Sequence, residues 1–209
     1  MPGVSEFITA IVTLFVVIDP IGLAPVFVSL TAGGPAAERR AIARRAVAIA
    51  LVLLVLFGLF GEAVLGFVGI SMPAFRIAGG ILLFLTALDM LFERRNPRRE
   101  DQAEDARPDP SVFPLATPLI AGPGAIASMI LLTGRAGSAG ALAAVFLALL
   151  IVLAAVLAMF MAAGLLERAL GRTGTNVTTR LLGMLLAALS VQFVIDGLNG
   201  AFASAGAAA

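Results

Sequence analysis

Apolar residues run along this chain in six long blocks, at 7–30, 46–68, 74–92, 113–133, 139–166 and 181–199. Each approaches the roughly 20 residues that a helix needs to cross a hydrocarbon core. None shows the ten-residue alternation of polar and apolar positions that a membrane barrel requires, so the pattern points to helices. The connections between blocks differ sharply in charge. Those at 31–45, 93–112 and 167–180 hold Arg39, Arg40, Arg44, Arg45, Arg94, Arg95, Arg98, Arg99, Arg107, Arg168, Arg172 and Arg180, whereas the opposite side holds only Arg76 and Arg135. Arginine excess marks the cytoplasmic side. Six spans then put both termini outside. Residues 1–38 contain no Lys or Arg, so there is no basic leader region and the first span is expected to be retained.

One connection is long and polar, 93-ERRNPRREDQAEDARPDP-110, with acids and bases nearly in balance. It reads as a solvated cytoplasmic linker, 93–112, between a three-helix unit at 1–92 and a second at 113–209. The units resemble each other. The stretch 18-IDPIGLAPVFVSLT-31 matches 120-IAGPGAIASMILLT-133 at an offset of 102, and 76-RIAGGILLFLTAL-88 matches 180-RLLGMLLAALSVQ-192 at 104. Three spans per unit is odd, so the second unit starts from the opposite face and the repeats are inverted. The expected fold is an all-α membrane protein of six transmembrane helices in two inverted three-helix repeats. Secondary transporters are commonly built this way, with the site between the halves.

Composition narrows the class. The chain has 209 residues, 60% hydrophobic and only 13% charged, with mean hydropathy +1.07. That much apolar surface needs a lipid bilayer as solvent. A net charge of +1 gives nucleic acid nothing to bind. Cysteine and histidine are absent, which removes thiol chemistry and the commonest general base and metal ligand. No metal or cofactor site is expected, and no phosphate-binding GxxxxGK[ST] loop occurs.

The chemistry concentrates where the apolar pattern breaks. Asp19, Pro20 and Gly22 interrupt the first block, and Gly122, Pro123 and Gly124 the fourth. Proline removes a backbone donor and clashes with the preceding turn. At membrane depth such a break is tolerated only inside protein or beside a wet cavity. Helices one and four are therefore expected to be broken and interior. Their exposed half-helix ends, each carrying about half a charge, suit the two poles of a zwitterion. These six residues form the expected substrate site. Asp19 has three roles open to it: ligand of a substrate ammonium, carrier of a coupling proton, or cap of the half-helix after it. Asp89, Asp196, Gln192, Arg76 and Arg180 are candidates for coupling or gating, with the bland alternative that each reaches the interface or pairs locally. Gln192 and Asp196 share a helix face at i, i+4. Glu62 is expected at the interface, and Gly79, Gly80 and Gly183 at close helix contacts.

The strings IDPIGLAPVF, FRIAGGILLFLTALDML, PLATPLIAGPGAI and RLLGMLLAALSVQFVIDGL resemble the MarC family of inner-membrane proteins, also classed as neutral amino-acid transporters. The resemblance covers all but the second and fifth spans, the linker and the tail. It implies six helices, a prokaryotic inner membrane, a fold shared with LysE-type exporters, and transport of small neutral amino acids such as glycine and alanine. The expected function is a secondary transporter of a small zwitterionic solute, not an enzyme, driven by a proton or sodium gradient or acting as a uniporter. The alternatives are a non-transporting scaffold or channel and, last, an intramembrane acid enzyme pairing Asp19 with Asp89 or Asp196.

Overall fold

The computed structural model describes residues 4–31, 34–92 and 109–206, and among these there are helices and turns but no strand. The helices are α1 (Val4–Ile18), α2 (Pro20–Leu30), α3 (Ala36–Val68), α4 (Met72–Leu91), α5 (Ser111–Ile120), α6 (Pro123–Thr133), α7 (Ala139–Met161) and α8 (Ala163–Gly206). Five stretches are long and apolar enough to cross a membrane: α1 with α2, α3, α4, α7, and Asn176–Ala203 of α8. The pair α5 and α6, bent by 55°, makes a sixth if it counts as one span. Large apolar side chains such as Val52, Phe60, Val64 and Phe67 stand exposed on α3, as lipid-facing positions do.

Two Arg-rich connections differ from expectation. Helix α3 begins at Ala36, ten residues before the apolar block, and α8 begins at Ala163 and runs through 167–180 without a loop. For α3 the cause is propensity. The segment 36-AAERRAIARR-45 consists almost wholly of Ala, Arg and Glu, strong helix formers that hydropathy scores as polar. At 44 residues, α8 is about 66 Å long, more than a bilayer needs. Arg168, Arg172 and Arg180 are thus helical positions, and Arg180 does not begin its helix. Of the expected linker, residues 93–108 lie outside the described residues, with Arg94, Arg95, Arg98, Arg99 and Arg107.

Helix directions follow from close contacts. A Cβ at Gly58 would meet Met129, and one at Gly61 would meet Ile130, so α3 and α6 run parallel. Gly79 faces Ala127 and Leu131 while Gly124 faces Leu83 and Thr86, so α4 runs against α6. Gly80 faces Ser190 and Val194, and Gly183 faces Ala87 and Met90, so α4 also runs against α8. The start of α7 lies beside Gly58 and Glu62 of α3. Its far end stacks Phe160 on Phe27 of α2, with centroids 4.4 Å apart, and Arg39 of α3 lies 5.9 Å over the same Phe27 ring. Hence α7 and the α1–α2 pair run together, opposite to α3, α6 and α8.

Packing crosses between the halves of the chain. α1 and α2 lie chiefly on α7 and α8, while α5 and α6 lie chiefly on α3 and α4. α4 lies along α8, and α3 touches α7. In its most apolar stretch, α1–α2 is 67% buried, against 22% for α3 and 28% for α4. The first span is thus largely enclosed by protein rather than lipid.

The α4–α8 contact explains its glycines. A Cβ on Gly80 would lie 2.8 Å from the Ser190 carbonyl oxygen, and one on Gly183 would lie 2.9 Å from Met90 Cβ. Without water to drive helices together in lipid, close backbone approach supplies the packing energy.

Candidate functional site

Asp19 separates α1 from α2. Its N–H closes the last turn of α1 on the Phe15 carbonyl at 2.9 Å, and its own carbonyl accepts the Leu23 N–H at 3.1 Å to open α2. Between the two, its backbone is left-handed, at φ 56° and ψ 68°. Asp and Asn are the non-glycine residues that enter this region most readily. Its Oδ1 accepts the Gly22 N–H at 3.1 Å, and Pro20 takes the first helical position, where a missing donor costs nothing. The carboxylate is 0% exposed and sits at the positive end of the α2 dipole. Capping is therefore one role of Asp19.

The α5–α6 junction has other means. Gly122 is extended, Pro123 begins α6, and no side chain caps that helix. A Cβ on Gly122 would meet the Pro118 carbonyl oxygen at 2.4 Å, so only glycine fits there. Upstream, α5 is itself interrupted at Phe113 (φ −129°, ψ 125°) and Thr117 (φ −130°, ψ 126°). Each precedes a proline, which forces extended backbone on the residue before it. The bonds Phe113–Pro114 and Thr117–Pro118 are cis. The irregular backbone thus begins well before the expected 121–124.

The two junctions approach through one contact. A Cβ on Gly124 would lie 3.2 Å from Val17 Cγ1 and 3.4 Å from Leu83 Cδ2, so the start of α6 abuts the end of α1 and the middle of α4. Of the six expected substrate residues, Asp19, Pro20 and Gly22 are buried, Gly122 and Gly124 half-buried, and Pro123 exposed.

The gating candidates stand elsewhere, at the two ends of the α4–α8 pair. Asp89 lies beside Met90 and Arg180 one turn before Gly183, and those two neighbours touch. At the other end Pro73 and Ile77 meet Gly197, which brings Arg76 to the level of Asp196. Arg76 Nε is buried without a hydrogen-bond partner. Asp196 accepts Gln192 Nε2 at 2.8 Å, as their spacing predicted, and pairs with Arg135, whose guanidinium carbon lies 4.8 Å from the Phe193 ring centroid. Arg135 follows α6, 61 residues from its partner. Only the fold reveals that pairing.

A second ion pair joins Arg45 of α3 to Asp109, just before α5. Asp109 also accepts the Ser111 hydroxyl at 2.6 Å and the Ser111 N–H at 3.0 Å. These bonds to Ser111 first, and then Arg45, hold its carboxyl below the ordinary value of 3.8. The α5–α6 element is thus tied by charge just before it starts and just after it ends.

An open groove of about 350 Å³ lies between α3 and the α6–α7 turn, lined by Gly58, Leu59, Glu62, Thr133, Ser138 and Leu142 among others. Its lining includes none of the break residues. Glu62 stands exposed there.

Residues 4–202 match the family described as "MarC family integral membrane protein". A UPF0056 membrane protein of Methanocaldococcus jannaschii is 41% identical over 199 residues, covering 93% of this chain and 97% of the relative. UPF0056 membrane protein YvbG of Bacillus subtilis is 36% identical, over 95% and 96%, and YhcE of Escherichia coli is 37% identical, over 90% of each. No solved structure matches. With its apolar helices, its interior first span and a match over nearly its whole length, the chain belongs to the MarC family of integral membrane proteins.

Proposed function

We propose that this protein is an inner-membrane secondary transporter of small zwitterionic solutes, neutral amino acids such as glycine and alanine, held where the α1–α2 and α5–α6 junctions meet. The observation that carries the reading is the buried Asp19 carboxylate in left-handed backbone between two helical segments. A carboxylate buried inside a membrane protein is costly and is kept for a partner, a proton or a solute. Capping alone does not require a charge, because asparagine caps as well as aspartate.

The packing supports an inverted repeat. Matching α1–α2 with α5–α6, α3 with α7 and α4 with α8 pairs helices that run in opposite directions. Under that match, α1 on α7 corresponds to α5 on α3, and α2 on α8 to α6 on α4. Each half lends its interrupted span to the other. Two interrupted spans abutting between two halves is an arrangement that alternating access can use.

The orientation proposed is termini outside. The starts of α3 and α8, with Arg39, Arg40, Arg44, Arg45, Arg168, Arg172 and Arg180, lie at one end, and Arg76 and Arg135 at the other. This favours the Arg-rich end as cytoplasmic. The driving ion is a proton or sodium, unless the protein is a uniporter, and no covalent chemistry is involved.

The test is counterflow in proteoliposomes. Labelled glycine or alanine should accumulate transiently against an unlabelled interior pool and saturate with concentration. Absence of counterflow across a broad panel of zwitterions would leave the scaffold or channel reading instead.

A further inference from the structure

Hydroxyls within these helices mostly bond to their own backbone. Thr31, Thr86, Thr133 and Thr178 each donate to the carbonyl four residues earlier, and Ser190 to the one three earlier. This is the usual way to satisfy a hydroxyl where water is absent. Thr179 of α8, 3% exposed, departs from it, as do Thr13 of α1 and Ser128 of α6. The last two are 0% exposed, and neither hydroxyl has a hydrogen-bond partner among the described residues. A buried hydroxyl left unpaired keeps its desolvation cost uncompensated, so each such group asks for a reason.

The position of Thr13 and Ser128 supplies one. Val17 meets Gly124, and α1 and α6 run in opposite directions. Thr13 is one turn before Val17 and Ser128 one turn after Gly124. Antiparallel register therefore puts the two hydroxyls across from each other, one turn beyond the junction on the side of the α1 start. At the offset of 102, the matching positions are Leu115 and Val26, both buried and both apolar. The repeat-related positions thus differ, with hydroxyls at 13 and 128 and apolar side chains at 115 and 26.

We propose that Thr13 and Ser128 form a polar subsite for the head group of a small zwitterionic solute, reached from the face that carries the α1 start and the α6 end. This rests on the transport reading above and deepens it. A hydroxyl both donates and accepts, so the pair suits a carboxylate or an ammonium equally. Closed, as here, the seam leaves both hydroxyls unpaired, and solute entry satisfies them. That makes them better partners for solute than for the resting protein.

The natural chain has no cysteine, which makes single-cysteine scanning direct. Thr13→Cys, Ser128→Cys, Leu115→Cys and Val26→Cys are reconstituted and treated with a small water-soluble thiol reagent from each side, with and without glycine or alanine. The expected result is modification at 13 and 128 from one side only, slowed by solute, with 115 and 26 inert. Wild-type counterflow is measured in the same vesicles. Modification with solute protection but no flux would keep the subsite and remove the transport reading. Intact flux without modification at 13 and 128, or modification that no zwitterion slows, would overturn the subsite. As a second arm, Thr13→Val and Ser128→Ala should raise KM by roughly 3- to 10-fold, the loss of one hydrogen bond, with unfolding temperature unchanged or higher. Thr13→Ser should restore KM. Unaltered KM in Thr13→Val together with Ser128→Ala would also sink the proposal.

Discussion

Asp19 accepts the backbone N–H of Gly22 at 3.1 Å, so the carboxylate that interrupts the first span also starts the helix beyond it. Capping and charge are separable by substitution. Asp19→Asn keeps the size and the cap. It should leave expression and unfolding temperature near wild type while lowering amino-acid flux at least about tenfold, the least expected when a buried ionised contact is lost. Asp19→Ala should do both, losing flux and about 1 kcal/mol of stability. Wild-type flux in Asp19→Asn would reduce Asp19 to a helix cap.

The close approach of α4 and α8 predicts a contrast between glycines. A Cβ on Gly80 meets backbone, the Ser190 carbonyl oxygen at 2.8 Å and the Val194 nitrogen at 3.1 Å, and neither can swing aside. Gly80→Ala should destabilise by about 1–3 kcal/mol through overpacking. Gly66 of α3 has nothing within 4 Å, so Gly66→Ala should be neutral or stabilise by up to about 1 kcal/mol through helix propensity. Thermal unfolding in detergent reads both, and equal effects would refute the packing account.

Topology is checked by fusing a reporter active only outside the cytoplasm to Ala209. Activity is the expected outcome. A silent fusion that is well expressed, with a cytoplasmic reporter active at the same site, would reverse the orientation and the side from which the α1–α6 seam opens.

Asp109 gives a pH dependence with a definite sign. Its folded pKa lies below the ordinary value of 3.8. The stabilisation is therefore complete above that value and disappears as pH falls through the folded pKa. Asp109 and Arg45 are 46% and 55% exposed, so solvent screening limits the effect to about 0.5 kcal/mol. Asp109→Asn should be slightly less stable than wild type at about pH 5–7, and the difference should close in stronger acid. A gap that persists there would show that the loss is steric rather than ionic.

Much of this fold was legible in local chemistry. The block around Asp19-Pro20 announced an interruption because those residue types oppose a continuous helix. The glycines of α4 and α8 announced a close contact because nothing else explains them in apolar helices. The limits were equally physical. Hydropathy measures solvent preference, so it stopped at the arginines of α3 and α8, although both helices continue through them. The prolines at 114 and 118 carried the signal for extended Phe113 and Thr117, but the glycines nearby drew the break to 121–124. Arg135 with Asp196, and Thr13 with Ser128, are distant in sequence and depend on register between helices. Local reading cannot supply that.

The exchange of interrupted spans between the halves bears on how the protein is made. When α4 has left the ribosome, α1 and α2 have not yet met α7 and α8, on which they chiefly pack. The α1–α2 pair is thus synthesised before the helices that enclose it. A carboxylate at its centre must wait in the membrane, or at its surface, until the final helix arrives. Truncation after residue 92 would therefore release an open structure, with α1 and α2 deprived of the helices on which they chiefly pack.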